Sequence, residues 1–444
     1  MSRHRRVIAK YLERYADPSA TPTSQRLCEL GQPDYSHVLV VPAHREPATS
    51  IERVVDEVQT CDGRFLLIVV SNASAGMADT QRRAHLDSET ELLQRHRWIS
   101  LQGHTYLSCW ANCDCLLITR SRDGLLLPEK QGVGLARKIG TDVGVALYQL
   151  GGVRSPWLLQ TDADVRLPGD YLSRATERQC ESVVAMIYPF CHRDTVGVEE
   201  GVLCATLQYE AYLRYFVLGL AVAGSPYAFH SLGSTLAIDV DAYAHVRGFP
   251  QRQAGEDFYL LNKLLKLGGI YRLSGAPVVI GSRVSDRAPF GTGPAVTEAI
   301  AGKARLWESP SAFVELRRVL EHIRSCCRAE VLLSPARLDS VEGLTEVLKD
   351  AVARGPTPEH AERRVMTWFD GLKTMRLVRR SGGSGAAPAQ ALTDGGLVEL
   401  EDGPFGISLR GQPSSTEWST VCARLASMEP RGTARLLGIP LAGG

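Results

Sequence analysis

Long apolar runs are missing from this chain of 444 residues. The longest, Phe216 to Gly224, is under half of the roughly 20 residues that a membrane-spanning helix needs. An excess of charge is missing too. Lys and Arg number 50 against 49 Asp and Glu, a formal charge of +1. No global field therefore advertises nucleic acid or an acidic membrane surface, and any basic site must be local. The opening Met1-Ser2-Arg3-His4-Arg5-Arg6 is basic, but Tyr11-Leu12-Glu13-Arg14 follows where a secretory signal would place an apolar stretch. Eleven cysteines form an odd set scattered from Cys28 to Cys422, without the paired spacing of a disulfide framework, and fit reduced thiols. No internal repeat is present. These absences predict a soluble, cytoplasmic protein, and the length allows one large core plus a second unit.

What the chain does have, from residue 37 onward, is an alternation of short apolar runs with helical stretches. His37–Pro42, Arg64–Val70, Cys115–Thr119 and Trp157–Gln160 read as strands apolar on both faces. Between them, 51–58, 79–97 and Gly134–Leu150 have helical spacing or composition. Strands buried on both faces and separated by helices predict a mainly parallel sheet between helical layers. Later segments read as a helix from Tyr171 to Gln179, a strand Ser182–Tyr188, a long helix from Val198 to Leu220, a strand Leu232–Asp239 and a helix Asp257–Leu267. Beyond 305 the chain turns helical and charged, with helices expected at Phe313–Arg328, Val341–Arg354 and Ala361–Arg379. Ser381-Gly382-Gly383-Ser384-Gly385-Ala386-Ala387-Pro388-Ala389 then reads as a flexible linker and the rest as a poorly periodic tail. The expected organisation is a helical lead-in at 1–36, an α/β domain at 37–304, a helical extension at 305–380, and linker and tail at 381–444.

Chemistry concentrates where Trp157-Leu158-Leu159-Gln160-Thr161 runs into Asp162-Ala163-Asp164. In extended chain, residues i and i+2 point to the same side, so both carboxylates can face one ligand at the strand's carboxyl end. Two hard oxygen donors there suit Mn²⁺ or Mg²⁺ carrying a diphosphate, since such ions usually take one or two carboxylates plus phosphate oxygens and water. A second acidic pair, Glu256-Asp257, follows Gly255 at the start of a helix whose face is Leu260, Leu261 and Leu264. Carboxylates in a first turn are favoured by the helix dipole alone. At the lip of a pocket, a carboxylate can also take a proton from an attacking hydroxyl.

These motifs, in this order, resemble the family 2 glycosyltransferases over residues 37–270. The resemblance starts at Val40-Val41-Pro42-Ala43-His44-Arg45-Glu46, similar to the family's opening strand and nucleoside-holding loop. It continues through Gly132-Val133-Gly134-Leu135-Ala136-Arg137-Lys138, which is similar to the family's Gly-x-x-x-Ala-Arg-Asn segment. It implies a GT-A-like open, mainly parallel sheet in a three-layer sandwich, and a mostly helical extension after it. It also implies a nucleoside-diphosphate sugar as donor, a small or soluble acceptor and inversion at the sugar. Carried over, Asp162 meets ribose or metal, Asp164 the metal, Asp257 acts as base and Glu256 supports it, while Pro42, Ala43 and Glu46 lie along the donor. One departure stands out. After the second strand the family usually carries acidic residues that read the base; here Ser71-Asn72-Ala73-Ser74 stands there, with Asn72 able to hydrogen-bond a base edge. Arg137, and Arg287 in the polar, glycine-rich segment 282–293, are candidates to neutralise a diphosphate, with solvated surface positions as the alternative. No His occurs between 246 and 321, so a third protein ligand for the metal is not expected from that segment.

Other readings are weaker. Gly132-x-Gly134 does not follow a strand directly, as a dinucleotide fingerprint must. Cys109-x3-Cys113-x-Cys115 with His104 lacks the knuckles of a zinc site, and Cys113 and Cys115 fit one face of a strand. Tyr209, Tyr212, Tyr215 and Phe216 read as core or as an acceptor platform, and His230 as structural or acceptor-touching. An Asp-nucleophile phosphohydrolase would place its Asp-x-Asp on the first strand. A nucleotidyltransferase of the same sheet type, or a non-catalytic nucleotide-sugar-binding protein, remains as the alternative function.

Overall fold

The computed structural model describes residues 3–31, 33–58, 63–122, 124–176, 182–193, 197–285, 291–303, 305–333, 340–383, 385–393 and 413–430. The chain divides into two compact units. The first comprises Met1–Cys191, Ser231–Leu267 and Leu273–Gly281; the second comprises His192–His230, Gly268–Arg272 and Ser282–Gly444. Along the chain the strands are β1 (Val38–Ala43), β2 (Phe65–Asn72), β3 (Ile99–Ser100), β4 (Thr105–Cys109), β5 (Cys113–Arg120) and β6 (Trp157–Gln160). They continue as β7 (Val165–Arg166), β8 (Val183–Ile187), β9 (Phe190–Arg193), β10 (Leu236–Asp239), β11 (Gly269–Arg272) and β12 (Val278–Gly281).

In the first unit the strands lie side by side in the order β8-β10-β6-β1-β2-β5-β4-β3. β6, β1, β2 and β5 are parallel; β10 runs against β6 and β8, and the β3–β4 hairpin closes the far edge antiparallel to β5. Every residue of β1 and β2 is buried. The continuous apolar runs require this: Val38 and Val40 enter a core with Ile139 and Val143 of the helix Gly132–Leu150, while Leu39 and Val41, alternating with them, are equally inaccessible. The expected open, mainly parallel α/β sheet is therefore present.

β1 sits between β2 and β6, so the chain winds out through β2 and β5 and then returns to the other side of β1. In open α/β sheets, ligands bind in the crevice outside the carboxyl ends of strands where the winding reverses. Here that crevice lies beyond Ala43 of β1 and Gln160 of β6.

The second unit is mostly helical, as the composition after 305 predicts. Its core joins the helix Glu200–Val222, through Tyr212 and Tyr215, to Trp307, Phe313 and Leu316, and to Val365, Leu377 and Trp418 from later helices. The aromatic set read as core or platform is core: the Tyr215 ring lies 5.0 Å from Trp307 and 5.7 Å from Phe313. Three expectations differ. The expected helix Ala361–Arg379 is two, Pro358–Trp368 and Gly371–Ser381, because Asp370 caps the second by accepting from the Lys373 amide. The expected linker pairs its Ala386 with Trp307 and leads into a helix Pro388–Thr393 with Ala391 and Leu392 buried. The tail contains the helix Ser415–Met428, started by a capping box between Ser414 and Glu417 and burying Trp418, Val421 and Leu425. Among the described residues, no helix is long and apolar enough to cross a membrane. None of the nine described cysteines is in a disulfide, and Cys113 and Cys115 are both buried in β5.

Candidate functional site

Asp162 and Asp164 do not lie on β6 itself. The strand ends at Gln160, and the two carboxylates occupy the turn that leads into β7. Burial still alternates as predicted: Thr161, Ala163 and Val165 are buried, whereas Asp162 and Asp164 are partly open. The Thr161 amide donates to the Val40 carbonyl at 3.1 Å, which extends the β1–β6 pairing up to the turn and places Asp162 at the switch-point crevice.

Glu256 and Asp257 reach the same place from the other acidic motif. Gly255 precedes them with φ 72°, the left-handed region that glycine enters without a Cβ penalty, and the helix Glu256–Leu264 begins at once. Leu260, Leu261 and Leu264 bury that helix and fix its first turn. The Asp257 carboxylate accepts from the Phe258 amide at 2.6 Å.

Arg137 joins the two motifs. The residue is 2% exposed. It donates from Nη2 to Asp162 Oδ1 at 2.6 Å and from Nε to Glu256 Oε1 at 3.0 Å, with Nη1 3.4 Å from the Thr161 carbonyl. The reading of Arg137 as a solvated surface cation is thus corrected: a guanidinium presents a planar fork of donors, and here the fork is committed to two carboxylates. Gly134, one turn earlier, lets the helix approach the segment before Glu256. A Cβ there would stand 2.5 Å from the Pro250 carbonyl oxygen and 2.7 Å from the Arg252 amide nitrogen. The Gly134 amide donates to Arg252 O at 3.0 Å.

The electrostatics follow from this crowding. Burial pushes Asp257 up to about 7, and the neighbouring Glu256 carboxylate adds to the rise. Asp257 nevertheless keeps part of its surface open. Glu256 is also raised by burial, against the pull of Arg137. Burial alone would depress Arg137, but Asp162 and Glu256 hold its proton more tightly than usual.

On the β1 side of the crevice, Pro42 and Ala43 end the strand and Glu46 follows half-buried. Asn72 is buried, and its Nδ2 donates to the Ala43 and Val70 carbonyls at 3.1 Å each, so its amide holds the end of β1. Behind them lies a polar cluster that the sequence did not announce. The Arg45 amide donates to His85 Nδ1 at 2.9 Å, which leaves the ring proton on Nε2 to donate to Ser71 Oγ at 3.0 Å. Ser71 and Ser121 each donate to Glu89 Oε2 at 2.6 Å. Burial, then the His44 and Arg45 charges, pull His85 down to about 4. Arg45 itself holds φ 55°, uncommon for a residue with a side chain, against that bond. The signal was weak because His85 and Glu89 sit in a charged, unpatterned helix, Asp79–Arg95.

Arg287 falls outside the described residues. His230 lies in the second unit, where its Nε2 is 2.9 Å from Glu429 Oε1, a structural contact within that unit.

No group of three or more His, Cys, Asp or Glu poised around a metal occurs among the described residues. The donor set fits an ion that brings much of its own shell: two partly open carboxylates one residue apart, with water and phosphate oxygens completing octahedral coordination, as Mg²⁺ and Mn²⁺ accept.

No model of a known protein family matches the chain, and no curated protein matches it. Among solved structures, it is similar to the mannosyltransferase PcManGT from Pyrobaculum calidifontis in complex with GDP-Man and Mn²⁺. The identity is 16% over 96% of this chain and 97% of that one, with a TM-score of 0.31. It is also similar to glucosyl-3-phosphoglycerate synthase from Mycobacterium tuberculosis in complex with Mn²⁺, UDP and glucosyl-3-phosphoglycerate. There the identity is 14% over 68% of this chain and 86% of that one, at a TM-score of 0.30. Likenesses this distant carry no weight for the chemistry, which rests on the geometry above.

Proposed function

We propose that this chain is a metal-dependent glycosyltransferase of the family 2 kind. It moves a sugar from a nucleoside-diphosphate sugar to a small or soluble acceptor with inversion. The supporting observation is that buried Arg137 bridges Asp162 and Glu256 at the switch-point crevice, which brings together the two acidic motifs to which Asp164 and Asp257 also belong. One motif offers hard oxygen ligands; the other offers a carboxyl whose proton affinity is raised into the range useful for a base at neutral pH.

In this reading Asp164 and Asp162 hold a Mn²⁺ or Mg²⁺ ion, which when bound supplies Lewis-acid stabilisation to the departing diphosphate. Asp162 enters with Oδ1 already fixed by Arg137, so its orientation is set before the donor arrives. Pro42, Ala43 and Glu46 line the nucleoside side, and Asn72 keeps the β1 end in register. Asp257 accepts the proton of the acceptor hydroxyl as that oxygen attacks the sugar carbon, and Glu256 keeps Arg137 anchored beside it. A nucleotidyltransferase would leave the Glu256-Asp257 pair without a task.

The test is a thermal-shift panel of nucleotide sugars with and without Mn²⁺, followed by a transfer assay on the donor that binds. A metal-dependent shift for one donor, with transfer lost in Asp257→Asn while donor binding persists, is expected. No shift with any donor would overturn the reading.

A further inference from the structure

Gly233 opens the 3-10 turn Gly233–Thr235 that leads into β10, and it faces Arg137 at van der Waals contact. A Cβ built on Gly233 would stand 2.4 Å from Arg137 Nη2, 2.8 Å from Cζ and 3.0 Å from Nε. Nη2 and Nε are the two atoms that hold Asp162 and Glu256. Real Cβ atoms do not approach so closely, so one methyl group would claim the space the guanidinium occupies.

We propose that Gly233 is a positioning residue of the site: its missing side chain forms the wall against which Arg137 lies flat while spanning Asp162 and Glu256. Two details separate this from a general packing role. The backbone of Gly233 lies outside the left-handed region, so alanine meets no conformational strain there. The three nearest atoms that alanine would strike all lie at the far end of the Arg137 side chain, and none of them belongs to the backbone. Gly233→Ala therefore displaces one guanidinium and leaves the sheet standing. Gly134→Ala would instead strike the backbone of Pro250 and Arg252.

The activity arm of the test rests on the glycosyltransferase reading; the structural arm does not. In ¹⁵N NMR of the full chain, the Arg137 Nε–H, buried and donated to Glu256, is expected as a slowly exchanging resonance that Arg137→Lys removes. Gly233→Ala is expected to shift that resonance strongly or lose it while the amide spectrum stays folded. A resonance unchanged in Gly233→Ala would overturn the proposal whatever the protein's activity. With the donor found by the panel, Gly233→Ala should lower kcat by about 100-fold, the scale of a misplacement of about 1 Å at a reacting centre. In an Arg137→Ala background the same substitution should cost less than about twofold, because nothing remains to be displaced. An equal cost in both backgrounds would also overturn it. If wild type turns over no nucleotide sugar, the functional reading fails and the resonance alone decides the role of Gly233.

Discussion

Asp257 offers the most direct check on the chemistry, because one environment sets both its reactivity and its effect on stability. Its carboxyl is pushed up from 3.8 to about 7, first by burial and then by Glu256 beside it. A group at about 7 is roughly one-tenth ionised at pH 6 and about one-hundredth at pH 5. As the base, it should make kcat/KM fall about tenfold per pH unit below 7, levelling above about 8. The stability effect runs the other way. The folded state binds this proton more tightly than the unfolded chain, so the associated stabilisation is fully present below about 3.8. It is lost as pH rises through about 7. Asp257→Asn removes the charge that must otherwise form in a crowded site. It should raise Tm clearly at pH 8, raise it less at pH 5, and abolish transfer at both. Rates across pH 5–9 and calorimetry at the two pH values supply the measurements. A flat rate profile below pH 7, or full turnover by Asp257→Asn, would refute the reasoning.

Other consequences follow from buried groups elsewhere. His85, pulled down to about 4, stays neutral in the folded chain while the unfolded one protonates near 6.5. Stability should therefore drop by about 3 kcal/mol as pH falls from 6.5 to 4, and His85→Gln should remove most of that slope in denaturant titrations at stepped pH. Gly134→Ala pushes a methyl against the Pro250 and Arg252 backbone, and should lower stability by about 1–3 kcal/mol by the same titrations. In the second unit, burial would raise Glu429, but His230, Arg214 and Arg272 around it hold it down at about 2. Glu429→Gln takes the buried carboxylate away from Arg214, which keeps Glu210, and from Arg272, and should cost about 3–5 kcal/mol, read as loss of hydrogen-exchange protection in the helix Ser415–Met428. Asp162→Asn and Asp164→Asn should each weaken Mn²⁺ binding in titration calorimetry at least tenfold, while circular dichroism stays unchanged.

Periodicity alone fixed much of the architecture. Runs such as Phe65–Val70 are apolar at every position, and only a strand covered on both faces satisfies that pattern. The order of strands and helices, the alternation of Asp162 and Asp164 with buried neighbours, and the helix start at Glu256 were legible because each depends on residues close in sequence. Sequence also supplied the acidic pairs as the chemical groups to watch.

Only the tertiary structure decided what joins them. Arg137 could be read locally as a surface cation, because its two partners lie 25 and 119 residues away and neither distance leaves a periodic trace. The same holds for His85 and Glu89, polar residues on an unpatterned helix that become a buried cluster only when β2 and the residue after β5 bring Ser71 and Ser121 to them. Gly233 is the extreme case. Its role is an empty space, and an empty space has meaning only once the side chain that fills it is in place. Local patterning reports which face of an element must be buried. Which charges then meet, and at what proton affinity, is set by packing between segments distant along the chain.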